Sequence, residues 1–265
     1  MDRQELIKKI VEKKEFSQLP EKDIEMALEK FDNKNLNDYQ KFKMTRQFLR
    51  KIFLGFSSRK VFSSSEKETE WYLMKHKSSK ERFPEYGRVY STCLKGFSKA
   101  SVIDLGAGIN GLSYEFFLKE GVKVNYTAIE AIGQFVNLMN NFFEEKKFSA
   151  KAYHLSLFDL QKVKEIIEKQ KTPRVVFLFK VVDSLEIVQR DYSKTLLNEL
   201  SGVSDRIIVS FATQSLGSRK KFSAQRGWLT KFIQENFIIL DDFEINGERY
   251  LSFEKKKELE KERKK

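Results

Sequence analysis

The sequence predicts an α/β fold: a mostly parallel, seven-stranded sheet flanked by helices, ending in an antiparallel hairpin and preceded by a small helical domain. Three observations predict it. The β-branched apolar run Val102-Ile103-Asp104-Leu105 breaks abruptly into Gly106, Gly108 and Gly111, the pattern of a buried strand entering a glycine-rich turn. Downstream, short apolar runs alternate with helix-compatible stretches at α/β spacing. Two strand-like runs then flank Asn246-Gly247, a strong hairpin dipeptide.

Taken in order, Leu6, Ile7, Ile10 and Val11, then Ile24, Leu28 and Phe31, recur at helical spacing, and Pro20 separates two amphipathic helices. The chain then turns basic. Lys41, Lys43, Arg46, Arg50, Lys51, Arg59 and Lys60 occur without an acid among them, interleaved with Phe42, Met44, Phe48, Leu49, Ile52, Phe53 and Phe56. One face of such a stretch can pack while the other presents positive charge, the footprint expected for a phosphate backbone. Serines at 57, 58 and 63–65 mark a hinge, so residues 1–68 read as a helical docking domain. Pro84 opens a helix to about Phe97.

The alternation proper follows: strand 101–105, helix 112–120, strand 124–129, helix 132–146, strand 151–156, helix 160–170, strand 174–180, helix 186–201, strand 205–212, helix 224–236 and the hairpin. Helical crossovers imply parallel strands with the ligand at their carboxyl ends. Gly106 and Gly108 leave backbone N–H groups open to a nucleotide-like ligand. The second strand ends in Glu130, twenty-two residues after Gly108, where an acid in such folds hydrogen-bonds ribose hydroxyls. S-adenosylmethionine-dependent methyltransferases carry a similar pairing of glycine turn and acid. Residues 69–254 form this second domain, and 255–265 a charged, flexible tail.

Composition bounds the rest. The chain has 265 residues, 40% hydrophobic and 13% aromatic, with 24 phenylalanines, enough for one sizeable core. Fifty basic against 38 acidic residues give a formal charge of +12, pointing to a polyanionic partner. The single cysteine, Cys93, excludes an internal disulfide, and no Cys/His cluster has metal-ligand spacing. No run approaches eighteen apolar residues, so a cytoplasmic protein without membrane contact is expected.

Four motifs in one order sharpen this reading. His76-Lys77-Ser78-Ser79-Lys80-Glu81-Arg82 resembles the H-x-S-T-x-E-R motif of the aminoglycoside-resistance ribosomal RNA methyltransferases, which methylate guanine N7 in the decoding region of small-subunit (16S) rRNA. Residues 102–110, V-I-D-L-G-A-G-I-N, are similar to the family's V-L-D-x-x-C-G-L-N. Residues 179–189 resemble F-K-L-L-P-L-L-E-R-E-Q, and residues 209–219 resemble V-S-F-P-T-R-S-L-G-G-R. The helical region ahead of a basic stretch matches the family's RNA-docking layout.

The resemblance implies a class I, Rossmann-like methyltransferase that uses S-adenosyl-L-methionine and takes the small ribosomal subunit as partner, acting as a monomer. It implies that His76, Lys77, Ser78, Arg82, Asp104, Gly106, Ala107, Gly108, Glu130, Ala131, Ser156, Leu157, Val181 and Gln189 hold the cofactor, with Arg82 on the methionine carboxylate and Glu130 on the ribose. Ser210, Thr213, Gln214 and Arg219 would position the target base, and Lys220 and Lys221 would join the basic stretch in binding RNA. Two departures stand out. Ala212 and Gln214 replace the family's proline and arginine, and Ser156 and Leu157 stand where an acid usually follows the third strand. Guanine N7 has an in-plane lone pair and no proton, so its methylation needs no general base, and no catalytic constellation is apparent in the sequence. The residues alone leave open a methyltransferase of another RNA, a protein or a small molecule, or a non-catalytic RNA-binding homologue.

Overall fold

The computed structural model describes residues 2–32, 35–56, 61, 68–213 and 226–256. A seven-stranded sheet organises them, in the order β3-β2-β1-β4-β5-β7-β6. The strands are β1 (Lys99–Leu105), β2 (Lys123–Glu130), β3 (Ala150–His154), β4 (Arg174–Phe179), β5 (Arg206–Ala212), β6 (Phe237–Ile245) and β7 (Glu248–Lys255). The first five are parallel, and β7 runs antiparallel between β5 and β6. β1 pairs with β2 on one side and β4 on the other, so strand order reverses there. The crossover helices leave in opposite directions at that point, opening a crevice at the carboxyl ends of β1 and β4.

Both faces of the central strands are covered, which is why Val175, Val176, Phe177 and Leu178 are buried in succession rather than alternately. The phenylalanine-rich composition is spent here. Tyr90 stacks on Phe117 and Phe177 on Phe179, and Tyr250 meets Phe179 edge-on. Asn246 and Gly247 both take positive φ, which closes the β6–β7 hairpin as the dipeptide predicts.

Helices α1 (Arg3–Val11), α2 (Glu21–Asp32) and α3 (Asp38–Phe53) form the amino-terminal region. Asp2 and Asn37 start α1 and α3 with reciprocal capping boxes to Glu5 and Gln40. Leu6, Ile10, Ile24, Leu28 and Leu49 belong to the same apolar cluster as Val102 and Tyr126 of the sheet. Polar ties reinforce that packing: the Gln18 carbonyl accepts from Gly133 N (3.0 Å), and Lys22 Nζ donates to the Phe158 carbonyl and pairs with Asp159 (both 2.8 Å). The serine-rich hinge at 57, 58 and 63–65 lies outside the described residues.

The remaining helices are α4 (Thr69–Lys75), α5 (Lys77–Arg82), α6 (Tyr86–Cys93), α7 (Tyr114–Lys119), α8 (Gly133–Lys146), α9 (Leu160–Glu168), α10 (Val182–Val188), α11 (Tyr192–Ser201) and α12 (Gly227–Asn236). Three boundaries depart from the sequence reading. The helix expected over 186–201 is two, because Asp191 adopts φ 63° and the Glu186 carboxylate accepts from the N–H groups of Asp191 (2.7 Å) and Ser193 (2.9 Å), starting α11 afresh. The third strand stops at His154, which frees Ser156-Leu157-Phe158 to turn toward the crevice. The helix after Pro84 ends at Cys93 rather than Phe97. Among the described residues, no helix is long and apolar enough to cross a membrane, and no cluster of His, Cys, Asp or Glu is arranged to hold a metal ion.

Candidate functional site

A cavity of about 880 Å3, including its open mouth, fills the crevice at the carboxyl ends of β1, β2 and β4. Its floor is the glycine turn. Gly106 (φ 67°) and Gly108 (φ 57°) take a left-handed backbone that side-chain-bearing residues avoid. A Cβ on Gly106 would lie 2.5 Å from Val181 Cγ2, and one on Gly108 would lie 2.9 Å from His76 Nε2. The turn is therefore a cradle that any larger residue would close. Glu130 braces it: one carboxylate oxygen accepts from Gly108 N (2.7 Å) and the other from Ile132 N (2.8 Å). Burial raises its pKa, while those backbone donors hold it down.

Asp104, at the tip of β1, is also buried. It accepts from Asn110 Nδ2 and Tyr126 Oη, both at 2.7 Å. Burial again raises its pKa, opposed by these two hydrogen bonds and the Arg82 charge. It thus anchors the segment that leaves the glycine turn, because Asn110 opens the turn into α7.

The His76–Arg82 motif folds as α5, with His76 as its N-cap. Ser78 and Arg82, four residues apart, share the inward face, and Lys77, one position before Ser78, falls off that face and is exposed. His76 packs edge-on against Phe135, and its Nδ1 lies 3.1 Å from Ser79 Oγ. Burial, with the Arg82 and Lys180 charges, drives its pKa down to about 3, so the ring is neutral at pH 7.

Arg82 is 4% exposed and is the hub of a buried polar network. Its Nε faces both oxygens of Glu248 at 3.1 Å, Nη1 donates to Asn110 Oδ1 (3.2 Å) and Nη2 to Ser78 Oγ (2.5 Å). Lys180, at φ 57° directly after β4, reaches Glu248 at 3.0 Å and Glu81 at 2.6 Å. Ser210 donates to Glu248 from β5. Burial alone would raise the Glu248 pKa, but Arg82, Lys180 and Ser210 together outweigh it and hold the carboxyl below its ordinary value. Burial opposes the Arg82 charge, and Glu248 more than restores it.

Of the residues singled out for a cofactor, His76, Ser78, Arg82, Asp104, Gly106, Ala107, Gly108, Glu130, Ala131, Leu157 and Val181 line the cavity together. Three do not. Lys77 is exposed for the helical reason above. Gln189, at the end of α10, is exposed, and Ser184, Leu185 and Val188 of that helix line the wall instead. Ser156 sits behind the wall, where its Oγ donates to Asp23 Oδ1 (3.0 Å) and accepts from Phe158 N (3.1 Å). Ser210 is buried against Glu248, and Thr213 is tied to the hairpin through Glu244 (2.9 Å) and the Gly247 carbonyl (2.8 Å). Gln214, Arg219, Lys220 and Lys221 lie outside the described residues.

The basic stretch divides. Arg46 donates to the Lys9 and Ile10 carbonyls at the end of α1, and Arg50 pairs with Glu15 and lies over the Phe16 ring, so both stitch α3 to its neighbours rather than present an open face. Lys41 half-faces Asp32 at 3.9 Å. Lys43 and Lys51, eight residues apart on one side of α3, are exposed. The opposite side of that helix carries Ile52 and Phe53 into the cavity, followed by Phe56. Arg59 and Lys60 lie outside the described residues.

Among the polar residues that line the cavity, Asp23, Asn110, Lys180 and Ser184 had no role in the sequence reading, nor had Glu248, the buried partner of Arg82. Asn110 and Lys180 stand inside the quoted motifs, and a lysine following an apolar strand is the one local signal among them. Asp23, on an amphipathic helix, and Glu248, beside a hairpin turn, carry no such signal.

The family model described as ribosomal RNA methyltransferase (FmrO) matches residues 67–245, two thirds of the chain. Among solved structures, the fold is similar to that of the 16S rRNA methyltransferase RmtF in complex with S-adenosyl-L-homocysteine (TM-score 0.76, 20% identity, covering 96% of this chain and 99% of that one). It is likewise similar to the 16S rRNA methylase RmtB (TM-score 0.76, 17% identity, 96% and 99%). An rRNA methylase from Escherichia coli gives a TM-score of 0.72 at 17% identity, over 96% of this chain and 100% of that one. No curated protein matches by sequence.

Proposed function

This chain belongs to the ribosomal RNA methyltransferase (FmrO) family, and from that premise we propose that it methylates guanine N7 in the decoding region of 16S rRNA, with S-adenosyl-L-methionine held in the cavity at the carboxyl ends of β1, β2 and β4. The observation that carries the reading is the cradle: two left-handed glycines with no room for a Cβ, beside an acid whose oxygens face the same space. When bound, the cofactor supplies an electrophilic methyl group on a sulfonium.

The chain's own residues bind and orient. Arg82 spends three of its five N–H donors on Glu248, Asn110 and Ser78, so two remain for a ligand carboxylate. Arg82 and Lys180 against Glu248 and Glu81 leave that corner balanced in charge, so it is the open Arg82 N–H groups that would take an anionic group. With backbone donors from Gly108, Ile132 and Ala131 against four lone pairs, the Glu130 carboxylate keeps acceptor capacity for a ribose hydroxyl. Apolar Ile52, Phe53, Phe135 and Phe179 exclude water from the remaining wall.

The polar groups around Arg82 and the glycine turn suit N7. His76 is a weak base at a pKa of about 3, Glu248 is held by Arg82, Lys180 and Ser210, and Asp104 is held through Oδ2 by Asn110 and Tyr126. A nucleophile that loses no proton needs none of them, and alignment with desolvation supplies the rate. Exposed Lys43 and Lys51, with the amino-terminal helices, would contact rRNA phosphates.

Methyl transfer from radiolabelled S-adenosylmethionine to purified small subunits, naked rRNA and bulk protein tests this, with the labelled nucleotide mapped by aniline cleavage. Label on small-subunit RNA at an aniline-cleavable position is expected. Label in protein, or on RNA that resists cleavage, overturns the N7 assignment.

A further inference from the structure

We propose that Asp23, from helix α2 outside the α/β sheet, is the residue that reads the adenine of the cofactor, its Oδ2 accepting a hydrogen bond from the exocyclic N6 amine. The proposal rests on the cofactor reading above. If Glu130 takes the ribose, the base lies beyond it in the slot formed by Ile132, Leu157, Phe158, Val181, Leu185 and Val188. Six apolar walls fit the faces of a flat heterocycle. They offer its polar edge nothing, and an unmet N–H in such a slot is costly.

The third strand does not supply the missing partner. Ser156 stands behind the wall, and its hydroxyl is consumed between Asp23 Oδ1 and Phe158 N. What that hydroxyl does is aim Asp23. The aspartate is 3% exposed, it lines the cavity, and Oδ2 has no hydrogen-bond partner among the described residues. Lys22, beside it, is pinned to Asp159 and the Phe158 carbonyl, which seats this part of α2 against the loop after β3. A buried carboxylate oxygen without a partner, on a side chain that lines an apolar slot and is held through its other oxygen, is a receptor for an N–H donor.

Charge supports the geometry. Burial, against the Ser156 hydrogen bond, raises the Asp23 pKa to about 7, with Glu130 and Asp159 adding to the rise and Lys22 opposing it. An incoming amine relieves that cost by satisfying the ionised form.

Calorimetric titration of the full chain with S-adenosyl-L-homocysteine and S-inosyl-L-homocysteine tests the assignment, because the second ligand replaces the N6 amine with a carbonyl. At pH 8, where the carboxyl is ionised, wild-type protein should prefer the adenosyl ligand by about tenfold or more, the span expected for a hydrogen bond to a charged group against a repelling oxygen. Asp23→Asn should bring the two within about threefold or invert the preference, since the amide can donate to the carbonyl. Ser156→Ala, which leaves the carboxylate in place but unaimed, should lower the ratio in part. An unchanged ratio in Asp23→Asn, with both ligands equally weakened, overturns the assignment and leaves the cofactor site standing. Wild-type protein that binds neither ligand overturns the cofactor reading and this proposal with it.

Discussion

Replacing Asp23 by asparagine should make the protein without cofactor more stable at neutral pH, and the gain should depend on pH in a defined way. The carboxyl titrates at an ordinary 3.8 when the chain is unfolded and at about 7 when folded. Between those values the folded state keeps a proton that the unfolded state has lost. Stability therefore falls as pH rises, with a slope of about 1.4 kcal/mol per pH unit for this group. Over the whole window the loss approaches about 4 kcal/mol, an upper figure because asparagine brings its own buried N–H groups into an apolar slot. The pH difference is cleaner than the absolute value. Relative to wild type, Asp23→Asn should gain about 2–3 kcal/mol between pH 5 and pH 7, then change no further above about pH 8. Urea unfolding of both proteins at several pH values, followed by circular dichroism with equal m-values, reads this directly. A wild-type-to-variant difference that stays flat across that window refutes the claim that Asp23 is buried and protonated there.

The other predictions concern the polar hub and the basic helix. Arg82→Ala leaves Glu248 buried with only Lys180 and Ser210, and removing one partner of a buried pair costs about 3–5 kcal/mol. A midpoint in urea unchanged from wild type would refute the hub. Lys43→Glu with Lys51→Glu should weaken rRNA binding and flatten its salt slope by about 2, leaving S-adenosylhomocysteine affinity as it was. Arg46→Glu, by contrast, should act first through stability, because it unfastens α3 from the end of α1. Equal salt slopes for wild type and the double lysine variant would remove α3 from the RNA-binding face.

The order of elements and the floor of the site were legible in the sequence because both are local. Val102 to Gly111 encodes a strand and its turn within ten residues, and Glu130 ends the next apolar run. Ser78 and Arg82 share a helix face by spacing alone. The motif order from His76 onward added the family, and the family model agrees over residues 67–245. Helix ends were less legible, since the break at Asp191 depends on the Glu186 carboxylate folding back onto two N–H groups.

What only the tertiary structure decided is which distant charges meet. Arg82 finds Glu248 across 166 residues, and Ser156 finds Asp23 across 133. Neither separation leaves a trace in periodicity or spacing, because both contacts exist only after the sheet closes and the amino-terminal helices dock on it. The same docking turns Arg46 and Arg50 inward and leaves Lys43 and Lys51 outside, a distinction invisible in a run of seven like charges. Local patterning determined the strands, the turn and the chemistry available to them. Burial, which is a property of the assembled layers, decided which of those groups stay charged, which are aimed, and which are left open to a ligand.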